Sequence, residues 1–121
     1  MMKLLPNLPD YVVGISASGQ IDDKDYETVL IPAVDRALKN HTRIRVLYQL
    51  TPAFTGFTSG AMWDDAKLGV AHLRAWERIA VVTDIDWIRL SVTAFGFLMP
   101  AQVNVYSTAE AASARKWISA V

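Results

Sequence analysis

The sequence predicts an α/β fold, in which a mixed sheet of four or five strands carries about four packed helices. Short segments with alternating apolar side chains are separated by longer segments whose apolar residues recur every three or four positions. One short segment, "RIAVVTD" (78–84), is apolar without alternation, as in a central strand covered on both faces. Strands that alternate with helices favour parallel pairing in the middle of the sheet. The length of 121 residues suits one domain, and no linker or repeat interrupts the chain, so we expect residues 1–121 to form a single domain.

Four strands follow from the apolar pattern. Residues 11–19 and 43–50 each direct alternate apolar side chains to one face, as half-buried strands do. The central strand is expected at 79–83 and the last strand at 102–107. The N-terminal "MKLL" is a candidate fifth strand at an edge of the sheet.

Helices are predicted at about 23–39, 60–77, 85–98 and 108–119. Pro32 lies inside the first helix, where it removes one backbone hydrogen bond and bends the helix without ending it. The apolar arc of the second helix consists of Met62, Ala66, Gly69, Val70, Leu73 and Trp76. We expect this arc to face the sheet.

Composition and charge exclude several classes of function. Twelve basic residues balance twelve acidic ones, so the chain has no net charge with which to attract nucleic acid. The absence of cysteine excludes disulfides and thiolate chemistry. The N-terminus is too short and too interrupted by proline for a signal peptide, and no apolar run reaches the ~18 residues of a membrane span. We therefore expect a cytoplasmic domain that does not bind nucleic acid.

The acidic residues are better explained by helix structure than by catalysis. Asp22 and Asp23 stand where a helix N-cap is needed, and Asp64, Asp65 and Asp86 fall in the first turns of helices. A helix N-terminus stabilises negative charge in these positions. No nucleophile motif or phosphate-binding glycine loop is present. The sequence therefore predicts no catalytic residues.

The two histidines do not indicate a metal site. His41 lies in a polar turn, and His72 lies beside the apolar arc of the second helix. Neither has a histidine or carboxylate partner four residues away, whereas metal sites need several converging ligands. We expect neither a metal nor another cofactor.

Three phrases of the sequence, "GQIDDKDYETVLIPAVDRAL", "MWDDAKLGVAHLRAWERIAVVTDIDWI" and "VNVYSTAEAASARKWI", resemble the SpoIIAA-like family. This family is related to STAS domains, and its fold is similar to that of Sec14/CRAL-TRIO lipid-binding domains. The resemblance covers most of the chain. It implies a four- or five-stranded sheet, self-association and no enzymatic activity. It also implies membrane association or the binding of small or lipid-like ligands.

The segment "FTSG" (57–60) has two interpretations. Ser59 can serve as the N-cap of the following helix. STAS regulators carry a phosphorylatable serine where a strand leads into a helix, and Thr58 and Ser59 occupy a similar place. The resemblance therefore makes Ser59 and Thr58 candidate phosphoacceptors, although Phe57 and Thr58 stand where such regulators have acidic and serine residues.

The helix at 85–99 carries two apolar stripes, whereas a surface helix needs only one. The first stripe contains Ile85, Ile88, Val92, Phe95 and Met99, and the nearly opposite one contains Trp87, Leu90, Ala94, Phe97 and Leu98. The second stripe can be covered by a neighbouring helix, a second subunit or a lipid-like ligand. We expect a homo-oligomer with Leu90 and Phe97 at the contact.

Large apolar side chains also occupy the segment between the second strand and the second helix. We expect this segment to be a flexible loop whose aromatic side chains stay partly accessible. The predicted ligand- or membrane-binding residues are Phe54, Phe57, Met62, Trp63 and Trp87. Two functions remain open: a non-catalytic module that binds an apolar or lipid-like molecule or a membrane, and a regulatory interaction domain switched by phosphorylation near Ser59.

Overall fold

A computed structural model describes residues 1–121, which form one five-stranded sheet in the order β1-β2-β3-β4-β5. The edge strand β1 pairs antiparallel with β2, and all other neighbouring strands are parallel. The strands are β1 (Met2–Leu4), β2 (Val12–Ile21), β3 (Ile44–Phe57), β4 (Trp76–Val82) and β5 (Gln102–Tyr106). The predicted mixed α/β sheet is confirmed, including its short N-terminal edge strand.

Helices connect each parallel strand to the next. The first connection contains α1 (Asp23–Asp25), a π-helical turn (Tyr26–Leu30) and α2 (Ile31–Asn40) in succession. The others are α3 (Ser59–Ala71) and α4 (Asp86–Gly96), and a 3₁₀ turn (Thr108–Glu110) leads into α5 (Ala111–Ser119). The helix continues through Pro32, as the sequence predicts, and the π turn lies just before this residue. A wider turn suits a proline that cannot donate to the preceding turn.

Two apolar cores lie on opposite faces of the sheet. The larger core joins β2, β3 and β4 to the three connecting helices, with buried residues such as Ile15, Val46, Tyr26, Leu68 and Ile88. The smaller core joins the other face to α5 through Val12, Leu47, Ala80, Val82, Ala114 and Ile118. Helices α2, α3 and α4 therefore share one face, and α5 alone covers the other.

Strand β3 extends seven residues beyond the predicted 43–50. The expectation of a flexible loop at 51–57 is wrong, because this segment continues to pair with β2 as far as Ile21 and Phe57. The pairing shifts register around Gly19, where φ is +63°. Gly56, at φ +153°, also has a backbone conformation that other residues rarely adopt. Glycine in a sequence often indicates a loop, but at these two positions it allows an irregular strand to continue.

Helix α3 ends at Ala71, before the predicted end near residue 77. Trp76 instead begins β4, where it pairs with Ile44 and its indole N–H donates to the carbonyl of Gly69 at 3.1 Å. Trp76 is buried in the larger core. The spacing between Trp76 and the preceding apolar residues is that of a helix, but Trp76 is buried because it lies in strand β4.

Candidate functional site

Helix α4 has one stripe in the core and one in solvent. Ile88 is buried, and Ile85, Val92 and Met99 pack against the larger core. Most of the second stripe is open: Trp87 is 57% exposed, Leu90 75%, Phe97 87% and Leu98 78%. No helix of the same chain covers this stripe, which leaves a second subunit or a ligand among the predicted alternatives. Phe95, predicted for the inner stripe, is exposed as well.

Helix α3 is oriented the opposite way from the prediction. It buries Ala61, Asp64 and Leu68, while Met62 and Val70 of the expected apolar arc are exposed. Apolar residues occur all around this helix, so its periodicity alone does not identify the buried side. The tertiary contacts of Ala61 and Leu68 with the larger core decide the orientation.

Helices α3 and α4 therefore turn large apolar side chains to solvent on the same face of the protein. We call this set the outer apolar surface: Met62, Trp63, Val70, Leu73, Trp87, Leu90, Phe97 and Leu98. Helix α2, on the same face, instead exposes Asp35, Arg36 and Lys39. Apart from Met1, Leu4 and Val121, the exposed large apolar residues all lie in these two adjacent connections.

Two of the predicted binding aromatics do not belong to this surface. Phe54 is buried in the larger core, so the expectation that it stays accessible is wrong. Phe57 is half-buried, with its ring 4.9 Å from that of Phe54 and 6.3 Å from that of Tyr48. Both residues lie on the extended part of β3, which packs them against the core.

The N-cap of α3 is Thr58, and the assignment of this role to Ser59 is wrong. The Thr58 hydroxyl accepts a hydrogen bond from the backbone N–H of Ala61 at 3.1 Å. Ser59 is the first residue of the helix and is exposed. Thr58 is half-buried and occupied as a cap, so Ser59 is the more accessible of the two hydroxyls.

A polar cluster beneath α3, which the sequence does not predict, joins the buried Tyr26, the half-buried Tyr48 and Asp65, whose carboxyl group is surrounded by protein atoms although the residue as a whole is exposed. The Tyr26 hydroxyl donates to Asp65 Oδ1 at 2.9 Å and lies 3.2 Å from the Tyr48 hydroxyl. Burial raises the pKa of both tyrosines, and the Asp65 carboxylate adds to this effect. Burial also raises the pKa of Asp65, although the Tyr26 hydroxyl partly opposes that shift. The spacing of tyrosines in sequence gives no sign that these hydroxyls meet.

Several acidic residues have the structural roles that the sequence predicts. Asp22 forms a reciprocal capping box with Asp25, and Glu110 does so with Ser107. Backbone hydrogen bonds lower the pKa of Asp22, and likewise the pKa of Glu110. Asp64 and Asp65 lie in the second turn of α3, where Asp64 is buried and Asp65 accepts the hydrogen bond from Tyr26. Asp64 Oδ2 has no hydrogen-bond partner, and Lys67 approaches Asp64 Oδ1 at 3.4 Å.

The structure shows no group of three or more histidine, aspartate or glutamate side chains able to hold a metal ion. One surface cavity, of about 390 Å³, lies between the N-terminal segment and α2. Its lining includes none of the predicted binding residues. None of the helices has the length and apolar character needed to cross a lipid bilayer.

Comparisons with known proteins agree with this architecture. A sequence model of the SpoIIAA-like family matches residues 12–119. A solved structure, an uncharacterised protein of the DUF3478 family with a SpoIIAA-like fold from Shewanella loihica PV-4, superposes with a TM-score of 0.77. The two chains are 21% identical, and the match covers 98% of this chain and 92% of that one. No curated protein matches this sequence. Because the family model spans nearly the whole chain, this protein belongs to the SpoIIAA-like family.

Proposed function

We propose that this protein is a non-catalytic module that binds an apolar or lipid-like molecule, including the lipids of a membrane surface, on its outer apolar surface. The observation that carries the proposal is the exposure of large apolar side chains on both α3 and α4. Monomeric proteins rarely expose contiguous apolar patches larger than a few hundred Å², and such patches mark binding sites. An aromatic side chain can bury about 150–250 Å², and more than half of each of Trp63 and Trp87 is open to a partner.

Side-chain chemistry favours a lipid over a polar ligand. Trp63 and Trp87 lie on the surface, and the Lys67 ammonium lies 6.0 Å from the centre of the Trp63 ring. Tryptophan and lysine are residues that anchor proteins at the boundary between lipid headgroups and acyl chains. With no net charge, the protein must obtain its affinity for lipid from apolar contacts.

The hydrogen bonds of the acidic residues argue against catalysis. Asp22 and Asp84 accept backbone N–H groups, from Asp25 and Thr108 respectively. These bonds lower the pKa of Asp22 and the pKa of Asp84, which makes both groups weak bases. The Tyr26–Asp65 pair is bonded internally and lies beneath α3.

The proposal predicts that Trp87→Glu weakens binding to phosphatidylcholine vesicles by at least about tenfold, since burial of a tryptophan contributes several kcal/mol. Flotation with vesicles and the blue shift of tryptophan fluorescence measure this binding. Ala112→Glu is the matched control, because it adds the same charge at an exposed position of α5 on the other face. We expect the control to bind like the wild type.

Equal vesicle binding by Trp87→Glu and the wild type would contradict the proposal, as would a wild type that ignores both vesicles and fatty acids. Sedimentation without lipid is measured in parallel with Leu90→Glu. Conversion of an oligomer to a monomer by Leu90→Glu would assign that part of α4 to a second copy, as expected for Leu90 and Phe97.

A second candidate function is a phosphorylation-switched regulatory domain. The observation that favours it is the exposed Ser59 hydroxyl at the start of α3, where unpaired backbone N–H groups stabilise a phosphate. Ser59→Asp is then expected to change the affinity for a partner protein and leave the melting temperature nearly unchanged. Pull-down from lysate with Ser59→Asp and Ser59→Ala, followed by identification and titration of the partner, measures this. Identical partners and affinities for the two variants would exclude the switch.

A further inference from the structure

The outer edge of β5 offers free backbone hydrogen-bonding groups. Strand β5 pairs only with β4, and the N–H of Thr83 donates to the carbonyl of Tyr106 at 2.8 Å. Backbone groups of a strand alternate in direction, so Gln102 and Asn104 also face β4. Val103 and Val105 consequently direct their N–H and C=O groups to the free edge. Neither residue makes any other hydrogen bond within the chain.

This edge lacks the features that normally prevent strand pairing. Edge strands are usually protected by shortness, lysine, proline or a bulge. The opposite edge, β1, has three residues and carries Lys3. Strand β5 has five residues, "QVNVY", with no charge, no proline and no shift in its register against β4. The two edges of the same sheet therefore differ in their capacity to pair.

We propose that two copies of the chain join their β5 strands antiparallel about a two-fold axis at Asn104, forming one ten-stranded sheet. The sequence around this axis is symmetric, because Val103 lies opposite Val105 of the second copy and Asn104 lies opposite its own equivalent. Each of the two valine pairs exchanges two N–H···O=C bonds, which gives four bonds in all. Valine opposite valine is also a favourable cross-strand pair.

The contact extends to helix α4. A Cβ atom added at Gly96 would lie only 3.2 Å from Val103 Cβ, so the end of α4 rests directly on the start of β5. Phe97, the next residue, is almost fully exposed beside this edge. Pairing of five residues alone buries less than the ~800 Å² per partner of a stable interface. Phe97 adds apolar area to the contact and brings it toward this size.

Such a dimer bears on the proposed function. A two-fold axis perpendicular to the sheet keeps the α3 and α4 helices of both copies on the same side. Two outer apolar surfaces would then reach one membrane together, which increases the overall affinity without any new contact. This last consequence rests on the proposed function, whereas the strand pairing does not.

Opposite charges at residue 104 test the pairing and its register. Asn104 is exposed, and its Cα atom is expected about 4.5 Å from that of the second copy. Asn104→Lys and Asn104→Asp should each give monomers by sedimentation, because like charges then face each other. An equimolar mixture should restore the dimer, and native mass spectrometry should show it to contain one copy of each variant.

Gln20→Lys is the matched control, since it adds the same charge at an exposed strand residue away from β5, and it should remain dimeric. A wild type that is monomeric at about 100 µM overturns the proposal. A dimer that survives both single variants, or a mixture that stays monomeric, overturns it as well. All these measurements are made without lipid, so their failure is distinct from a failure to bind vesicles.

Discussion

At the scale of single residues, the most informative group is the polar cluster of Tyr26, Tyr48 and Asp65 beneath α3. Two hydroxyls and a carboxylate share hydrogen bonds between the π turn, β3 and α3. Buried polar networks restrict the arrangement of the elements that contribute to them, because every member needs its partner. The bond from Tyr26 to Asp65 therefore helps to fix the orientation of α3 on the sheet.

The raised pKa of Asp65 predicts a particular pH dependence of stability. A carboxyl whose pKa is raised by folding stabilises the folded state fully below its unfolded pKa, near 3.9, and loses this contribution as pH rises through the folded pKa. The Asp65→Asn variant has no titrating carboxyl at this position, so its stability does not fall in this way as pH rises. Its stability relative to the wild type should therefore improve between pH 4 and pH 7, as measured by urea unfolding.

Asp65 bonds the Tyr26 hydroxyl, which lies beside the Tyr48 hydroxyl; Asp25 acts on Tyr48, and Lys67 pairs with Asp64 on the same helix as Asp65. Asp35→Asn, on the exposed side of α2, controls for the change in net charge. A stability difference that stays constant across this pH range would contradict the raised pKa.

At the scale of elements, α5 is attached to the sheet by two arginines. The Arg45 guanidinium donates to the carbonyls of Ile118, at 2.9 Å, and Ala120, while Arg78 donates to those of Trp117 and Ala120. Positive charge at a helix C-terminus satisfies carbonyls that have no partner in the helix. Arg45 is buried and also bonds Glu77 at 2.6 Å, which lowers the pKa of that glutamate.

Arg45→Met is expected to destabilise the fold by about 3 kcal/mol, because it leaves the buried carbonyl of Ile118 without a donor and Glu77 without its ion-pair partner. Glu77→Gln should cost less than about 1 kcal/mol, since Glu77 is partly exposed and glutamine keeps an acceptor oxygen. Guanidinium unfolding of both variants measures the difference. Equal losses of unfolding free energy in the two variants would mean that Arg45 stabilises the fold through its ion pair with Glu77 and not through the carbonyls at the end of α5.

The start of α3 provides a second prediction at this scale. Thr58→Ala removes the observed cap and should cost about 1 kcal/mol in thermal or chemical unfolding. Ser59→Ala should cost much less, because the Ser59 side chain makes no capping bond. A larger loss of stability for Ser59→Ala than for Thr58→Ala would identify Ser59 as the N-cap.

Whether the position of an element is predicted correctly depends on how strongly its apolar residues repeat. Segments with strong periodicity, such as the strand at 44–50 and the inner stripe of α4 apart from Phe95, are predicted well because burial repeats with the geometry of the element. Helix α3 has apolar residues on every side, so its orientation depends on the partners of Asp65 and Leu68. The sequence predicts a flexible loop that contains Phe54 and Phe57, yet the pairing of this segment with β2 keeps both residues in a strand.

At the scale of the whole molecule, the fold and the family follow from the sequence, but the location of the candidate site follows only in part. Trp63 and Trp87 are exposed as expected, and the second stripe of α4 is open to solvent. The binding role of these residues stays a prediction. Which of two apolar helix faces turns outward depends on contacts between residues distant in sequence, and single-sequence patterns do not contain that information.

The order of strands in the sheet is also their order in the chain, and this has a consequence for how the protein is made. As the chain leaves the ribosome from its N-terminus, each new strand finds its neighbour already synthesised, so the sheet can grow in one direction. Helix α5 follows the last strand, and until it docks, Leu47, Ala80 and Val82 lack the cover of Ala114 and Ile118 on their face of the sheet. The growing chain therefore exposes an apolar sheet face, and is most prone to aggregate, in the interval between the completion of β5 and the docking of α5.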